Sequence, residues 1–445
     1  MDLTQIEKLQ LVLLKKINFF YKNLKKKKIS NYDSATSYFS SFSDNPGYAL
    51  LKFWISRKKF YNFLYQLIKN FLLPFYTFEY KVLFNNKYFF YDRIILSWSY
   101  NNNFNKNGTH NNLYFNVNSN LPPKTLWILI HLDDKPPKKI SNNIAIIYKS
   151  KKKFKIVNIF KNFKIKNLTN LFYTTIDKNL YSVYFGNLIY EICGRFFNKD
   201  LKELLILYEG QPFQNILLKK IKCFNKNIKT TGYIHAFPPG LPSNFYYREG
   251  APDKIILTGK DQYYCFNKKL NWNKKKIRLL KSSRFIESKK NMSDQIYLPM
   301  TIFNLNFIIE QINLIYNSNE IINNLPLRIK NHPTSLNSKI HLELIEKIQS
   351  IINNKKNLIT NKKSKKFSIF IGSTSAVIEA LERNVTVIHI TQNPIFDVYT
   401  KQLWPNIKVE KINNYTYKYF INGKNNFIKL GEKNKTFMSY FAKQI

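Results

Sequence analysis

Residues 369–381 read IFIGSTSAVIEAL and carry the clearest structural pattern in the chain. The first three side chains are apolar and β-branched or aromatic, which is typical of a buried strand. A glycine and three hydroxyl residues follow and predict a tight turn, and the apolar spacing after them predicts a helix. A strand that passes through a glycine turn into a helix is a building unit of parallel α/β sheets.

The same alternation of strand and helix extends from residue 203 onward and predicts parallel sheets with helices on both faces. The predicted strands are Leu204–Tyr208, Lys229–His235, Lys254–Thr258, Ile296–Pro299, Leu327–Lys330, Phe367–Ile371 and Val385–Ile390. The predicted helices are Gln214–Phe224 and residues 260–268, 303–317, 338–353 and 374–383.

The first half of the chain has a less regular pattern. Residues 1–28 predict an amphipathic helix that ends in four lysines, and residues 31–47 are serine-rich. Further predictions are helices at 50–72 and 178–197, strands within 76–99 and at 127–131, 144–148 and 155–159, and an asparagine-rich loop at 101–124. We therefore expect an N-terminal domain at 1–250, a second α/β domain at 251–425, and a C-terminal helix within 426–445 that crosses back to the first domain.

Composition limits the class of protein. The 445 residues include 71 Lys and Arg against 27 Asp and Glu, and 44% are hydrophobic, which fits a folded globular chain with a net charge of +44. Lys, Asn, Ile, Phe and Tyr have AT-rich codons, so part of this charge reflects composition bias, and it favours anionic partners only weakly. Three scattered cysteines fit a reducing compartment, and no secretory signal or apolar membrane span is visible. We expect a cytoplasmic protein.

The turn at Gly372, Ser373, Thr374 and Ser375 is the strongest candidate site. Free N–H groups at a helix start, together with nearby hydroxyls, can hold a phosphate group. Glu379 lies four residues after Ser375 on the same helix face, where it can reach a ribose hydroxyl. An ordinary Ser/Thr helix cap explains the same residues equally well.

A second candidate follows the strand that contains Arg328 and Lys330. His332 stands at its end, and Pro333 holds His332 in an extended conformation. A histidine in this position can stabilise a departing phosphate, and the two basic residues can add positive potential or point away from the site.

Two further candidates end neighbouring strands in the first half. Glu209 lies on a glycine turn after a buried strand and is a candidate general base, with Gln211 beside it as a candidate substrate contact. An acidic residue that merely stabilises the following helix start is the alternative. His235 precedes a proline-rich loop and is a candidate substrate contact or a structural histidine.

Several motifs are absent from the sequence: GxxxxGK[ST], GxGxxG, HExxH and an Asp-x-Asp pair. We therefore expect no catalytic metal and no cofactor.

The order of these motifs resembles GT-B glycosyltransferases. A carboxylate turn, a His-Pro strand end and a Ser/Thr turn leading into Ile-Glu-Ala-Leu occur together over roughly residues 200–400. The EGQPFQ segment followed by GYIH is most similar to bacterial sialyltransferases and Kdo-transferase-like proteins of surface carbohydrate synthesis. Sialyltransferases usually carry two acidic residues before the glycine, whereas here Tyr208 precedes Glu209.

The resemblance implies two Rossmann-like domains that face each other across a cleft. It implies metal-independent transfer of a CMP-activated acidic sugar to an oligosaccharide or lipid-linked glycan, with Glu209 and His332 catalytic. Gly372, Ser373, Thr374, Ser375, Glu379 and Pro333 would then contact the nucleotide.

Other interpretations remain open at this point. One is a CDP-polyol phosphotransferase of similar fold, and another is a fold-retaining module without activity. A nucleic-acid-binding protein would suit the charge and the aromatic content, but the lysine runs are dispersed and we expect no nucleic acid partner. The basic N-terminal helix is compatible with peripheral attachment to the anionic inner face of a membrane, or with a solvated helix face.

Overall fold

The computed structural model describes residues 1–26, 51–52, 54–55, 75–85, 90–120, 122–155, 181–287, 291–317, 328–332, 335, 338–355, 367–432, 437 and 440. The predicted serine-rich segment 31–47 and most of the predicted helix 50–72 lie outside these residues. So do residues 156–159 of one predicted strand, Pro333, and most of the predicted C-terminal helix.

The first sheet has eight strands in the spatial order β1-β6-β5-β2-β7-β8-β9-β10. Its strands are β1 (Phe75–Phe84), β2 (Arg93–Ser99), β5 (Thr125–His131), β6 (Ile144–Lys155), β7 (Glu203–Leu207), β8 (Lys229–Tyr233), β9 (Lys254–Leu257) and β10 (Ile277–Leu279). All neighbours are parallel except β1, which pairs antiparallel with β6 at one edge. A short antiparallel pair, β3 (Asn111–Asn112) and β4 (Val117–Asn118), lies in the asparagine-rich loop.

The second sheet has six strands in the order β12-β11-β13-β14-β16-β15. Its strands are β11 (Gln295–Tyr297), β12 (Arg328–Lys330), β13 (Phe367–Ile371), β14 (Thr386–Ile390), β15 (Ile407–Lys411) and β16 (Thr416–Ile421). The first four are parallel, and a β15–β16 hairpin adds to β14 in the antiparallel sense. Two mainly parallel sheets confirm the predicted α/β fold class.

Helices connect and cover the strands. They are α1 (Leu3–Lys26), α2 (Tyr181–Gly194), α3 (Pro212–Phe224), α4 (Lys260–Lys268), α5 (Leu305–Asn317), α6 (Lys339–Lys355), α7 (Ala376–Glu382) and α8 (Pro394–Asp397). The buried strands supply the core of each unit, because all five residues of β7 and all five of β13 are buried.

The strands after residue 250 divide differently from the predicted domains. β9 and β10 belong to the first sheet, where Lys254 pairs with Thr231 of β8, and the second sheet begins only at β11. Residues 248–251 form a turn shortly before β9, in which Ala251 N–H donates to the Arg248 carbonyl at 3.0 Å, so the predicted domain boundary at 250 falls within the first sheet unit.

One contact region joins the loops that follow β8 and β14. Leu241 N–H donates to the Phe396 carbonyl at 3.0 Å, and the Trp404 indole N–H donates to the Gly240 carbonyl at 3.0 Å. The Tyr399 hydroxyl donates to the Pro238 carbonyl at 3.2 Å. We call residues 237–241 and 394–404 the inter-sheet clamp.

Helix α1 packs against the same region. Its buried residues Ile6, Leu13, Leu14 and Ile17 belong to the main core. Gln10, fully buried, donates through Nε2 to the carbonyls of Ile395 and Val398 at 3.0 and 2.9 Å. The apolar face of the predicted amphipathic helix is thus occupied by the protein itself, and membrane attachment stays a prediction.

The C-terminal segment contacts the first sheet at the two residues described there. The Phe437 ring lies 4.8 Å from the rings of both Phe115 and Tyr233, and the Tyr440 hydroxyl donates to Glu203 at 3.1 Å. Among the described residues, no helix is long and apolar enough to cross a membrane.

A substitution in the clamp tests its role in stability. A Cβ atom on Gly240 would lie 2.5 Å from the Val398 carbonyl oxygen and 2.7 Å from the Asp397 carbonyl carbon. Because these are backbone atoms, Gly240→Ala forces the two loops apart and is expected to lower the free energy of unfolding by about 1–3 kcal/mol. Urea denaturation measures this. Gly194→Ala is the matched control, since no atom lies within 4 Å of its Cβ position, and an equal loss in both variants would contradict the prediction.

Candidate functional site

Glu209 lies on a firmly held turn after β7. Gly210, which follows it, has a φ of +68°, a conformation that glycine adopts without strain. Arg248, buried, donates through Nη2 to the Gly210 carbonyl at 2.9 Å. The Gln214 side chain accepts from Glu209 N–H at 2.9 Å, and the Gln211 amide donates to the Glu209 carboxylate. Gln211, predicted as a substrate contact, therefore orients Glu209.

His235 stands beside this carboxylate. Its Nε2 is 3.7 Å from Glu209 Oε1, and its side chain is 7% exposed against 34% for Glu209. The two residues follow β7 and β8, which are neighbours in the sheet, so the predicted pair is brought together. The other ring nitrogen, Nδ1, is buried and has no hydrogen-bond partner in the described part of the chain.

Burial shifts both groups toward their neutral forms. Desolvation raises the pKa of Glu209, and the Gln211 hydrogen bond and the positive charge of Arg284 oppose that rise. Desolvation lowers the pKa of His235 well below its ordinary value, and Arg284 lowers it further. At neutral pH the site therefore holds a neutral imidazole next to a carboxylate of increased basicity.

Arg284 and Tyr114 complete this half of the site. The Arg284 guanidinium lies 5.6 Å from the Tyr114 ring centroid, and that ring meets the His235 ring edge-on at 4.7 Å. Ser283, buried, donates to the Tyr114 carbonyl at 2.6 Å and fixes the backbone next to Arg284. Arg284 itself is exposed, so its charge can reach a ligand.

His332 belongs to the other half, at the end of edge strand β12. Desolvation lowers its pKa, and electrostatic interactions with His341 and Arg284 lower it further. Arg284 thus influences the pKa of His332 in the second sheet as well as the pKa values of Glu209 and His235 in the first.

The predicted basic residues on β12 have separate environments. Arg328 and Lys330 are exposed, and the Lys330 ammonium lies 5.6 Å from the Tyr297 ring centroid. Tyr297 stacks on Phe370 with ring centroids 4.4 Å apart. Lys330 therefore covers the aromatic edge of the sheet, and Pro333 lies outside the described residues.

The Gly372 turn follows β13 as predicted. Gly372 has a φ of +68°, and its N–H donates to the Ile390 carbonyl at 2.8 Å. The Thr374 hydroxyl accepts from the N–H of Ala376, the first residue of α7, at 3.3 Å, whereas the N-cap residue Ser375 makes no side-chain capping hydrogen bond. Ser373 and Ser375 are half-buried, and within the described residues their hydroxyls have no hydrogen-bond partner.

The Glu379 side chain on α7 is buried and forms an ion pair. Its side chain is 5% exposed and pairs with Arg383, whose Nη2 lies 3.2 Å from Oε1. The same Arg383 nitrogen donates to the Ile286 carbonyl at 2.8 Å. The pair thereby connects α7 to the segment that carries Arg284, and the predicted ribose contact of Glu379 stays a prediction.

His389 supports the Gly372 turn from below. It is fully buried on β14; Nε2 donates to the Gly372 carbonyl at 2.7 Å, and Nδ1 lies 3.2 Å from the Tyr419 hydroxyl. Burial lowers the pKa of His389 to about 4, so the neutral ring holds the turn at ordinary pH.

The described residues contain no group of three or more His, Cys, Asp or Glu side chains arranged to hold a metal ion. The arrangement instead offers a basic carboxylate, neutral imidazoles, a guanidinium and serine hydroxyls. Such a set can accept a proton from a hydroxyl group and can bind an anionic group.

Comparisons with known proteins give limited similarity. No protein-family model and no curated protein sequence matches the chain significantly. The trehalose-6-phosphate phosphatase N-terminal domain of Candida albicans aligns over 68% of this chain and 83% of its own, with 9% identity and a TM-score of 0.33. A glycosyltransferase from Rickettsia africae ESF-5 aligns over 69% and 86%, with 14% identity and a TM-score of 0.31. These scores identify no function.

The sequence pattern missed Arg284 and Tyr114. Tyr114 lies within the asparagine-rich loop, and Arg284 follows the short strand β10, so neither stands next to a recognisable motif. One signal was available: only eight of the 71 basic residues are arginines, although lysine is abundant. Arg248, Arg284 and Arg383 all lie around the site, where forked or always-charged donors are needed.

The buried His389 predicts a pH dependence of stability. Because its pKa falls from about 6.5 unfolded to about 4 folded, the neutral form favours the native state, and stability is lost as the pH drops from 6.5 toward 4. Between pH 7 and pH 5 this group costs about 2 kcal/mol. Urea unfolding at both pH values should show a smaller loss in His389→Gln than in the parent, by about that amount. The same loss in both proteins would count against it.

Proposed function

We propose that the protein is a glycosyltransferase that transfers a sugar from a nucleotide donor, most consistently a CMP-activated acidic sugar, to a hydroxyl group of a glycan acceptor. The observation that carries the proposal is the pair of Glu209 and His235, 3.7 Å apart at the ends of neighbouring strands, with Tyr114 and Arg284 beside them. Arg284 also lowers the pKa of His332 from the second sheet, which supports a role for His332 in the same site. In open α/β sheets, ligands bind at the carboxyl ends of strands, which is where Glu209, His235 and His332 lie.

On the acceptor side, Glu209 is the proposed general base. Its raised pKa makes it a better proton acceptor than an exposed carboxylate, and its partial exposure leaves it reachable. The acceptor oxygen forms a bond to the anomeric carbon of the donor while its proton passes to Glu209. The bond between the anomeric carbon and the donor phosphate breaks, and the nucleotide leaves with the electron pair.

On the donor side, the departing phosphate gains negative charge. Ser373 and Ser375 offer hydroxyl donors at the Gly372 turn, and the neutral His332 offers one ring N–H. Arg284 supplies the positive charge, which a neutral histidine does not. This division assigns charge stabilisation to Arg284 and hydrogen bonding to His332.

The acceptor in this proposal is an oligosaccharide or a lipid-linked glycan of surface polysaccharide synthesis, used at the cytoplasmic side of a membrane and without a metal. A CDP-activated polyol donor is the alternative and changes the nucleotide that binds. The nucleotide that the protein binds best decides between the CMP-activated sugar and the CDP-activated polyol.

Thermal stabilisation by CMP, CDP, UMP, UDP, GDP and AMP tests the donor class. A ligand at 100 times its dissociation constant adds about 2.7 kcal/mol to stability. We expect CMP to stabilise the parent and to lose this effect in His332→Ala and Ser373→Ala, but not in the control Ser141→Ala. A preference for CDP or UDP would replace the CMP-sugar donor, and no response to any nucleotide would overturn the transferase proposal.

Glu209→Gln separates catalysis from binding. The amide keeps the shape and the Gln211 neighbour but accepts no proton, so transfer should slow by about 10²–10⁴-fold while CMP stabilisation is unchanged. In the parent, the rate should fall as the pH drops through the raised pKa of Glu209. Sugar transfer from CMP-sialic acid to a labelled glycan, followed by chromatography, measures both. A Glu209→Gln enzyme of parental rate would remove Glu209 from the mechanism.

A further inference from the structure

A separate cavity of ≈ 930 Å³ lies where the parallel strands of the first sheet begin, at the other end of these strands from Glu209. It is lined by residues at the starts of its strands, among them Arg93, Lys229 and Lys254, which are the first residues of β2, β8 and β9. The Glu209 site occupies the carboxyl ends of β7 and β8, so the two regions are separated by the length of the strands. Nothing in the proposed transferase reaction uses this cavity.

The cavity receives one cation from each of six adjacent strands. Lys124 precedes β5, Arg93 begins β2, Lys202 precedes β7, Lys229 begins β8, Lys254 begins β9 and Arg278 is the second residue of β10. Six of the thirteen lining residues are therefore basic, against 71 of 445 in the whole chain. The share of basic residues in the cavity lining is therefore higher than the lysine-rich composition of the chain explains.

The acidic residues of the cavity are already engaged. Glu203 accepts from Arg93 Nε at 2.8 Å and from the Tyr440 hydroxyl at 3.1 Å. Asp253 pairs with Lys222 at 2.5 Å and accepts from Thr230. Asp92 lies 3.7 Å from Lys202.

Four cations remain without a carboxylate partner among the described residues: Lys124, Lys229, Lys254 and Arg278. The last three come from the consecutive strands β8, β9 and β10 and lie on a diagonal of the sheet, because Lys254 pairs with Thr231 and Arg278 pairs with Ile256. With a strand spacing of about 4.8 Å and a rise of about 3.3 Å per residue, their Cα atoms span roughly 16 Å. The Arg278 guanidinium is held 4.8 Å from the Tyr440 ring centroid, which limits its freedom.

We propose that this cavity is a second ligand site that binds a small molecule carrying two or more phosphate groups. A concave volume of this size suits a small molecule, and a row of unpaired cations on separate strands suits several linked negative charges better than one. Binding there is independent of the nucleotide-donor site.

Inorganic tripolyphosphate is the probe, and isothermal titration calorimetry at fixed ionic strength is the measurement. We expect tripolyphosphate to bind more tightly than inorganic phosphate or sulfate. Lys229→Glu/Lys254→Glu should weaken binding by about tenfold or more, because each reversal removes an attraction and adds a repulsion. The milder Lys229→Gln/Lys254→Gln should weaken it less, and thermal unfolding without ligand establishes that each variant is folded.

Two controls decide where the probe binds. Lys411→Glu/Lys424→Glu makes the same change of charge on exposed lysines beyond the first sheet and should leave the affinity within about twofold. His332→Ala should also leave it unchanged, which separates this cavity from the proposed donor site. An equal loss in the Lys411/Lys424 variant would show diffuse attraction and overturn the proposal. Loss in His332→Ala, or much tighter binding of a single-stranded oligonucleotide than of tripolyphosphate at this site, would overturn it too.

Discussion

The candidate site depends on the inter-sheet clamp. The clamp's first loop follows His235 at the end of β8, and its second loop follows the end of β14. Hydrogen bonds from Leu241 to Phe396 and from Trp404 to Gly240 lock these loops together. Both loops leave the carboxyl ends of their strands, so the clamp connects the same ends of the two sheets. The proposed site between the sheets therefore depends on this contact between the loops.

The electrostatics of the site follow from burial on both sides of the clamp. His235, His332 and His389 all lose their charge through desolvation, so the imidazoles act as hydrogen-bonding groups. Arg284 supplies a guanidinium group at an exposed position. In a chain with a net charge of +44, this site is therefore not a general accumulation of cations. Arg248 and Arg383 bind groups of the protein, whereas Arg284 is exposed beside neutral imidazoles and a basic carboxylate.

The sequence predicted the elements whose signal is local. Phe367–Ile371 and residues 260–268 were predicted to their ends, because an apolar run interrupted only by Ser368 and a helix that begins after a glycine need no distant partner to be recognised. The β15–β16 hairpin was missed because Ile407–Lys411 is mostly polar and because tertiary pairing sets its position: β15 pairs with β16, and β16 pairs with β14. Likewise, β9 joins the first sheet through pairing with β8, and no composition change at residue 250 reveals it.

The residues of the candidate site also fall into those that the local sequence indicates and those that only tertiary contacts bring into place. Glu209 and His235 follow neighbouring apolar strands, so a rule about strand ends was enough to predict that they meet. Arg284 comes from a segment positioned by Ser283, which contacts Tyr114 across 169 residues of sequence, and only tertiary structure brings them together. In this lysine-rich chain, a basic residue indicates a ligand site only when its ion pairs with acidic residues are also considered. Arg383 forms an ion pair with Glu379 and therefore has a structural role. Arg284 is exposed to solvent near three titratable groups, so it can contact a ligand.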